Sequence, residues 1–342
     1  MEVIRGWTHR PFVCEEASGA GEARRHCAEL AQAFQWNEVQ AGRLAIVVTE
    51  LGANLARHAR RGRLLVAARP HDRSIEIISI DEGPGIADLP QSLRDGFSTG
   101  GTPGTGLGAV RRLANEFDIH SSCPGGTVCV ARIGAQGAST TAPAPAAPGM
   151  QIGAVCLPAP GETECGDGWS VVLEQQRARV LVADGLGHGP EAAKASRAAC
   201  AIFESSPWRT LAEQVQQIHA ELKTLRGAAV CVAELDGAAG TLRYTGAGNI
   251  AGRVLSGVSD KSLLTQHGTA GMQIRKPEET GAQWVPHGLV ILHSDGIESR
   301  WDGGRLTPLL GRDPALAAAV LLRDHTRQRD DATVVVLRRR DA

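Results

Sequence analysis

The apolar residues Leu44, Val47, Val48, Leu51 and Leu55 recur at intervals of three and four, the spacing of one stripe on an amphipathic helix, and predict a helix over 41–60. Similar spacing predicts a helix over 20–34. Across 64–69 and 75–80 the apolar period falls to two, so these segments read as a strand pair turning through HDRS. Residues 109–117 return to helical spacing, and 126–133 alternate again. Helices followed by paired strands, another helix and a last strand predict an α/β sandwich with helices on one sheet face.

Strand patterns dominate beyond residue 150, at 152–156, 169–174, 178–183, 228–235, 241–246, 253–256, 289–294 and 333–338. Helices are predicted at 190–205 and 211–225, with a third at 313–322. Many short strands around a few helices suggest two packed sheets covered by helices. Between the halves, 134–149 read GAQGASTTAPAPAAPG, with no charge and almost no bulky apolar side chain. Such a segment cannot bury enough surface to fold and reads as a tether. The expected organisation is a domain at 1–133, a linker at 134–150 and a domain at 151–342.

The length of 342 residues fits about two domains, each able to bury a core. Thirty-six Lys and Arg against 37 Asp and Glu leave a net charge of -1, which excludes a general affinity for nucleic-acid backbone or a membrane surface. No apolar run approaches the roughly 18 residues of a membrane span, and MEVIRGWTHRPF at the start lacks a secretory core. A cytoplasmic protein is expected. The 8 Cys lack CxxC or zinc spacing and read as reduced thiols. Lys is confined to Lys194, Lys223, Lys261 and Lys276, so no P-loop lysine is available in the first half.

Four pieces of the first domain carry chemistry. In TELGANLARHA, Glu50, Asn54 and His58 fall at i, i+4 and i+8 on one polar helix edge. A carboxylate there can serve as a base and an amide oxygen can serve Mg2+; a solvated helix edge has the same pattern. Strand 75–80 runs into DEGPGI, where Asp81 can accept from an exocyclic amine and Gly83 and Gly85 allow close backbone approach; a Gly-Pro turn reads the same way. FSTGGTPGTGLGAVRRLANEF is a Gly-rich loop entering a helix, an arrangement of free N–H groups suited to phosphates, with a lid or plain linker as rivals. GGTVCVARI then places Thr127 at the start of a strand.

In this order and spacing the pieces resemble the GHKL (Bergerat) ATP-binding fold, with Glu50 and Asn54 as its N-box, DEGPG as its first glycine box and GTGLG as its second. The resemblance is closest to the small serine kinases that regulate bacterial sigma factors, and DGFSTGGTPGTGLGAVRRLANEFDI is similar to the RsbT-type switch kinases. It covers nearly all of 1–133. It implies ATP and Mg2+ as cofactors, with Asn54 on Mg2+, Asp81 on the adenine amine, Gly83 and Gly85 beside the base, and Gly104, Thr105, Gly106, Leu107 and Gly108 over the phosphates. Glu50 is implied as the general base toward a protein hydroxyl. Thr127 and His58 also match family positions, with a packing or capping role expected for His58. The phosphate-accepting His motif of a dimeric sensor kinase is missing.

In the second domain Asp167 (CGDGW), Asp184 (VLVADGLGHG), Asp295 (LVILHSDGIES) and the Asp330-Asp331 pair (RDDATVVVL) fall where apolar strands end. Carboxylates converging on one cleft repel unless divalent cations neutralise them, and two such ions can lower the pKa of a bridging water for attack on phosphorus. Each Asp-Gly pair alone also reads as a turn. ADGLGHGPEAAKAS, YTGAGN, HSDGIES and DDATVVVLR resemble the PPM-type metal-dependent Ser/Thr phosphatases of the SpoIIE/RsbX-like branch, over essentially 151–342. The resemblance implies an αββα sandwich holding two Mn2+ or Mg2+ ions, bridged by Asp184 with the Gly185 carbonyl. Asp295 and either Asp330 or Asp331, with Asp330 favoured, hold one metal. Asp167 matches the branch's SGD element, although Cys165-Gly166 stands in place of the usual Ser-Gly. Arg226, His188 and Arg177 are candidates to meet substrate phosphate.

Together the resemblances imply a bifunctional partner-switching regulator that phosphorylates and dephosphorylates a STAS-domain antagonist, with a sigma factor as a further partner. The alternative is a phosphatase whose N-terminal domain only binds ATP and sequesters a sigma factor or antagonist.

Overall fold

Two units make up the computed structural model, which describes residues 1–94, 106–134 and 149–339: His9–Ala144 forms one, and Met1–Thr8 together with Pro145–Ala342 forms the other. The chain opens with strand β1 (Glu2–Arg5), which lies in the second unit, so the domain expected at 1–133 does not keep its first eight residues. The physical reason is a run of backbone pairing between β1 and a strand of the later domain. Nothing in the spacing of MEVIRGWTH announces so distant a partner.

The first unit continues with β2 (Arg10–Val13), helices α1 (Ala17–Ala33) and α2 (Glu38–His58), the hairpin β3 (Arg63–Arg69) and β4 (Ser74–Ile80), the short α3 (Leu89–Ser92), α4 (Gly106–Leu113), and the hairpin β5 (Glu116–Ser122) and β6 (Gly126–Gly134). Its sheet has the order β2-β3-β4-β6-β5, antiparallel throughout. Helix α2 starts at a capping box: the Asn37 side chain accepts from the Gln40 N–H at 3.0 Å, and the Gln40 side chain accepts from the Asn37 N–H at 3.1 Å. The stripe of Leu44, Val47, Val48, Leu51 and Leu55 packs in one core with Ala23 and Cys27 of α1 and with Leu64, Val66, Ile75 and Ile77 of the sheet. Each such fully buried aliphatic side chain contributes about 1.5–3 kcal/mol.

The helix expected over 109–117 ends at Leu113, and Glu116 and Phe117 open β5 instead. Asn115 makes the change, its N–H donating to the Arg132 carbonyl at 2.8 Å and its side chain accepting from the Gly134 N–H at 2.8 Å. Cross-strand pairing with β6 thus overrides helical spacing. The expected linker lies, apart from its ends, outside the described residues.

The second unit holds β7 (Met150–Leu157), β8 (Asp167–Glu174), β9 (Arg177–Gly185), α5 (Pro190–Ser205), α6 (Leu211–Glu221), β10 (Ala228–Asp236), β11 (Thr241–Ala247), β12 (Ala251–Leu255), β13 (Asp260–Leu264), β14 (Gly268–Thr269), β15 (Gln273–Ile274), β16 (Thr280–Gln283), β17 (Leu289–His293), α7 (Pro314–His325) and β18 (Ala332–Arg339). One sheet has the order β1-β8-β9-β10-β11-β16 and carries α5 and α6; the other, β13-β12-β17-β18-β7, carries α7. Helices outside and sheets between give the αββα layering. Strands β13 and β16 escape the sequence pattern because each buries a single apolar side chain, Leu263 and Ala282. Among the described residues no helix is long and apolar enough to cross a membrane.

Candidate functional site

In the first unit, Glu50 and Asn54 sit half-buried one turn apart on α2, and His58 is exposed at its end. The end of α2 abuts the loop after β4. The Glu82 N–H donates to the Arg60 carbonyl at 2.9 Å, and the His58 carbonyl lies 3.1 Å from where a Cβ on Gly83 would stand. Asp81 is 9% exposed and organises this loop. Its Oδ1 accepts from the Gly83 N–H at 2.6 Å and its Oδ2 from the Thr127 N–H at 3.2 Å, while its own N–H donates to the Thr127 carbonyl at 3.0 Å. Gly85 and Gly126 have φ of +78° and +80°, and a Cβ on either would stand about 2 Å from a carbonyl oxygen, of Ser122 and Asp81 respectively.

Thr127 is tied into the same loop. Its Oγ1 lies 2.9 Å from Ser121 Oγ, which accepts from the Ile86 N–H at 2.8 Å. Ser121 is a residue that sequence reasoning missed, since it lies in the unforeseen β5. Gly106 opens α4 with no atom of the described residues within 4 Å of the position of a Cβ, Leu107 is half-buried, and Gly108 is buried. Gly104 and Thr105 lie outside the described residues. A buried carboxylate in a glycine-bearing loop and a glycine at a helix start are groups of the kind a nucleotide uses.

In the second unit the five aspartates lie near enough to one another to interact electrostatically. Asp167 and Asp184 are Cα partners across β8 and β9. Asp295 follows β17, and Asp330 and Asp331 precede β18, its neighbour. Burial pushes the Asp184 carboxyl up to about 9, with Asp167, Asp295, Asp330 and Asp331 adding repulsion. Asp167 is raised to about 7 by burial and by Asp331 and Asp295, against a hydrogen bond from Ser294. Burial likewise raises Asp295, with Asp330 adding repulsion, and raises Asp331.

Neutral partners hold these carboxylates. Ser294 Oγ donates to Asp167 Oδ2 at 2.6 Å and itself accepts from the Thr333 N–H at 3.0 Å. Asn249 Nδ2 donates to Asp295 Oδ2 at 2.6 Å, and Asp331 Oδ1 accepts from the Ala159 N–H at 2.8 Å. Asn249 was visible within YTGAGN, and Ser294 within HSDGIES, but neither spacing assigned it a role. Among the described residues no three His, Cys, Asp or Glu side chains are grouped so that together they could hold a metal ion. Asp167, Asp295 and Asp331 are turned to these local donors, and among the described residues Asp167 Oδ1 and Asp331 Oδ2 are buried with no hydrogen-bond partner. Orphaned carboxylate oxygens of mutually repelling aspartates fit hard divalent cations.

The three candidates for meeting phosphate separate by position. Arg226 extends over the turn after β9, its Nη1 donating to the Leu186 carbonyl at 3.5 Å. His188 Nδ1 lies 2.7 Å from Glu162 Oε1 on the same turn. Arg177 begins β9, seven residues and about 23 Å from Asp184, and pairs with Glu234. It is placed away from the aspartates.

Residues 15–133 match the histidine kinase-like ATPase domain family, and 174–340 match the stage II sporulation protein E (SpoIIE) family. The serine/threonine-protein kinase RsbT of Bacillus subtilis (strain 168) is 34% identical over 107 residues, 31% of this chain and 80% of that protein. A solved structure of the bacterial stressosome, described as a modular system adapted to control secondary messenger signaling, is similar at TM-score 0.53 and 28% identity, over 55% of this chain and 99% of that one. A crystal structure of RsbX in complex with magnesium shares the fold at TM-score 0.50 and 20% identity, over 55% of this chain and 94% of that one.

Proposed function

We propose, for a chain that belongs to the RsbT family through its histidine kinase-like ATPase domain and carries a SpoIIE phosphatase domain behind it, that it both phosphorylates and dephosphorylates one regulatory protein. The substrate is a Ser or Thr on a STAS-domain antagonist, in a partner-switching pathway that ends on a sigma factor. The observation that carries the reading is the convergence of Asp167, Asp184, Asp295, Asp330 and Asp331 behind a domain of the RsbT family.

In the first domain, Asp81 holds its loop against Thr127 and receives the adenine amine, Asn54 serves Mg2+, and the start of α4 with Gly106, Leu107 and Gly108 covers the phosphates. Glu50, one turn from Asn54, takes the proton of the attacking hydroxyl. In the second domain Asp184 and the Gly185 carbonyl, with Asp167, Asp295 and Asp330, would hold two Mn2+ or Mg2+ ions, and Asp331, anchored by the Ala159 N–H, adds negative charge beside Asp167. The cations, when bound, supply charge neutralisation and an acidified water. Ser294 and Asn249 aim their carboxylates, and Arg226 over the turn meets the phosphoryl oxygens.

The test is transfer of labelled phosphate from ATP to a STAS-domain partner by full-length protein with Mg2+, followed by its release with Mn2+. We expect the Asp184→Asn protein to accumulate phosphorylated partner. ATP binding without transfer by the wild type would overturn the kinase half, and stable label in the presence of Mn2+ would overturn the phosphatase half.

A further inference from the structure

Residues 2–8 precede the ATP-binding domain in the chain yet belong to the phosphatase unit, where Glu2–Arg5 form the outer strand of a sheet. β1 pairs antiparallel with β8 from Glu2 opposite Leu173 to Arg5 opposite Ser170. The pairing continues where the Gly6 N–H donates to the Trp169 carbonyl at 2.9 Å. Val3 packs on the core cluster that contains Val172 and Leu181. Ser170 Oγ donates to the Ile4 carbonyl at 3.3 Å, and Arg5 Nε donates to Glu204 at 2.9 Å. Trp7 meets Trp169 edge to face, with ring centroids 4.6 Å apart. Gly6 is dictated by this approach, because a Cβ there would stand 2.3 Å from the Trp169 carbonyl oxygen and 2.9 Å from its ring.

The strand ends beside a metal-site aspartate. Trp169 is two residues past Asp167 on β8. A cavity of about 510 Å³ is lined by Trp7 and Thr8 from the N-terminal segment and by Cys165, Asp167 and Trp169 from the domain it joins. A second route runs through side chains: Thr8 Oγ1 lies 3.9 Å from Cys156 Sγ, which lies 3.4 Å from Cys165 Sγ, two residues before Asp167.

We propose that residues 2–8 are a positioning element of the phosphatase site, with Trp7 setting the start of β8 and through it the aim of the Asp167 carboxylate. This rests on the phosphatase reading above. Edge strands commonly do no more than cover a sheet, and cover alone would change thermal stability while leaving metal affinity intact. Two independent contact routes converging on Asp167, with one of its oxygens buried and unpartnered, give the strand a further role. Supports of metal ligands typically change affinity or activity by about 10- to 100-fold when lost.

The experiment uses the full-length chain as wild type, Trp7→Ala, Trp7→Phe and Gly6→Val. Mn2+ affinity is measured by electron paramagnetic resonance of the free ion, amide exchange is followed along β8, and hydrolysis of p-nitrophenyl phosphate gives kcat and KM. Trp7→Ala and Gly6→Val are expected to speed exchange in β8 and to weaken Mn2+ binding by about 10- to 100-fold, with kcat falling and KM for the small substrate nearly constant. Trp7→Phe restores both. Wild-type Mn2+ affinity in a Trp7→Ala protein whose β8 amides exchange faster overturns the proposal, as does a lowered Tm with nothing else changed. Should Gly6→Val not fold, the contrast between Trp7→Ala and Trp7→Phe decides. A wild type that binds Mn2+ without hydrolysing the substrate removes the phosphatase reading, and the affinities still decide the role of the strand.

Discussion

Asp167 faces Asp184 as its Cα partner across the ladder between β8 and β9, and one oxygen of Asp167 is buried without a hydrogen-bond partner. Two carboxylates so placed repel each other unless a cation lies between them. Asp184→Asn is therefore expected to abolish Mn2+-dependent hydrolysis and, without metal, to melt higher than metal-free wild type because one member of the repelling set is gone. ATP binding should be untouched, since Asp81 and Asn54 belong to the other unit. Calorimetry with and without Mn2+ measures both effects. Normal turnover in this variant would refute the metal assignment.

Ser294 and Asn249 hold their carboxylates by hydrogen bonds of 2.6 Å, and Ser294 is itself fixed by the Thr333 N–H. Removing such a support typically changes metal affinity or activity by about 10- to 100-fold. Ser294→Ala and Asn249→Ala are expected to lower Mn2+ affinity in that range with the fold intact by circular dichroism. Unchanged affinity in both would make these contacts incidental.

The division of labour on α2 is testable residue by residue. Asn54→Ala is expected to weaken MgATP binding, whereas Glu50→Ala should retain MgATP and lose phosphotransfer. Base catalysis of this kind contributes about 10²- to 10⁴-fold, so residual transfer should fall by that factor. Phosphatase activity should persist in both variants. Equal transfer by Glu50→Ala and wild type would mean that the carboxylate does not act as the base.

Local chemistry was legible in the sequence where a motif and its contacts are adjacent. DEGPG folds on Asp81 within the same loop, and the α2 stripe is buried as its spacing predicts. The aspartates could be read because each lies at one end of an apolar strand, Asp184 and Asp295 where one stops and Asp167 and the Asp330-Asp331 pair where one starts. What escaped depends on distant pairing. β5 reads as a helical continuation until Asn115 meets Arg132, and β1 acquires meaning only beside Ser170, 165 residues later. Arg177 is similar in type to Arg226, yet the strand direction puts it at the opposite end of β9 from Asp184. Both members of the Asp330-Asp331 pair add repulsion to Asp184, but Asp331 accepts from the Ala159 N–H while Asp330 adds repulsion to Asp295.

Glu234 makes the stability of the phosphatase domain dependent on pH far from its active site. It is 5% exposed on β10, accepting from Arg179 and, at 2.6 Å, from Arg243, with Arg177 nearby. Burial alone would raise its carboxyl, but these guanidinium groups outweigh burial and hold it down at about 2, from an ordinary 4.5. A carboxyl lowered in the folded state contributes stability that is complete above its unfolded value and is lost as pH falls through the folded one. The contribution should therefore fade from about pH 5 toward pH 2. Glu234→Gln leaves Arg179, 2% exposed, without its charge partner. Breaking a buried pair in this way costs about 3–5 kcal/mol. Urea unfolding of wild type and variant should differ by an amount of that order at pH 7, with the gap narrowing as the pH is lowered. A gap independent of pH would show that packing, rather than charge, fixes this corner.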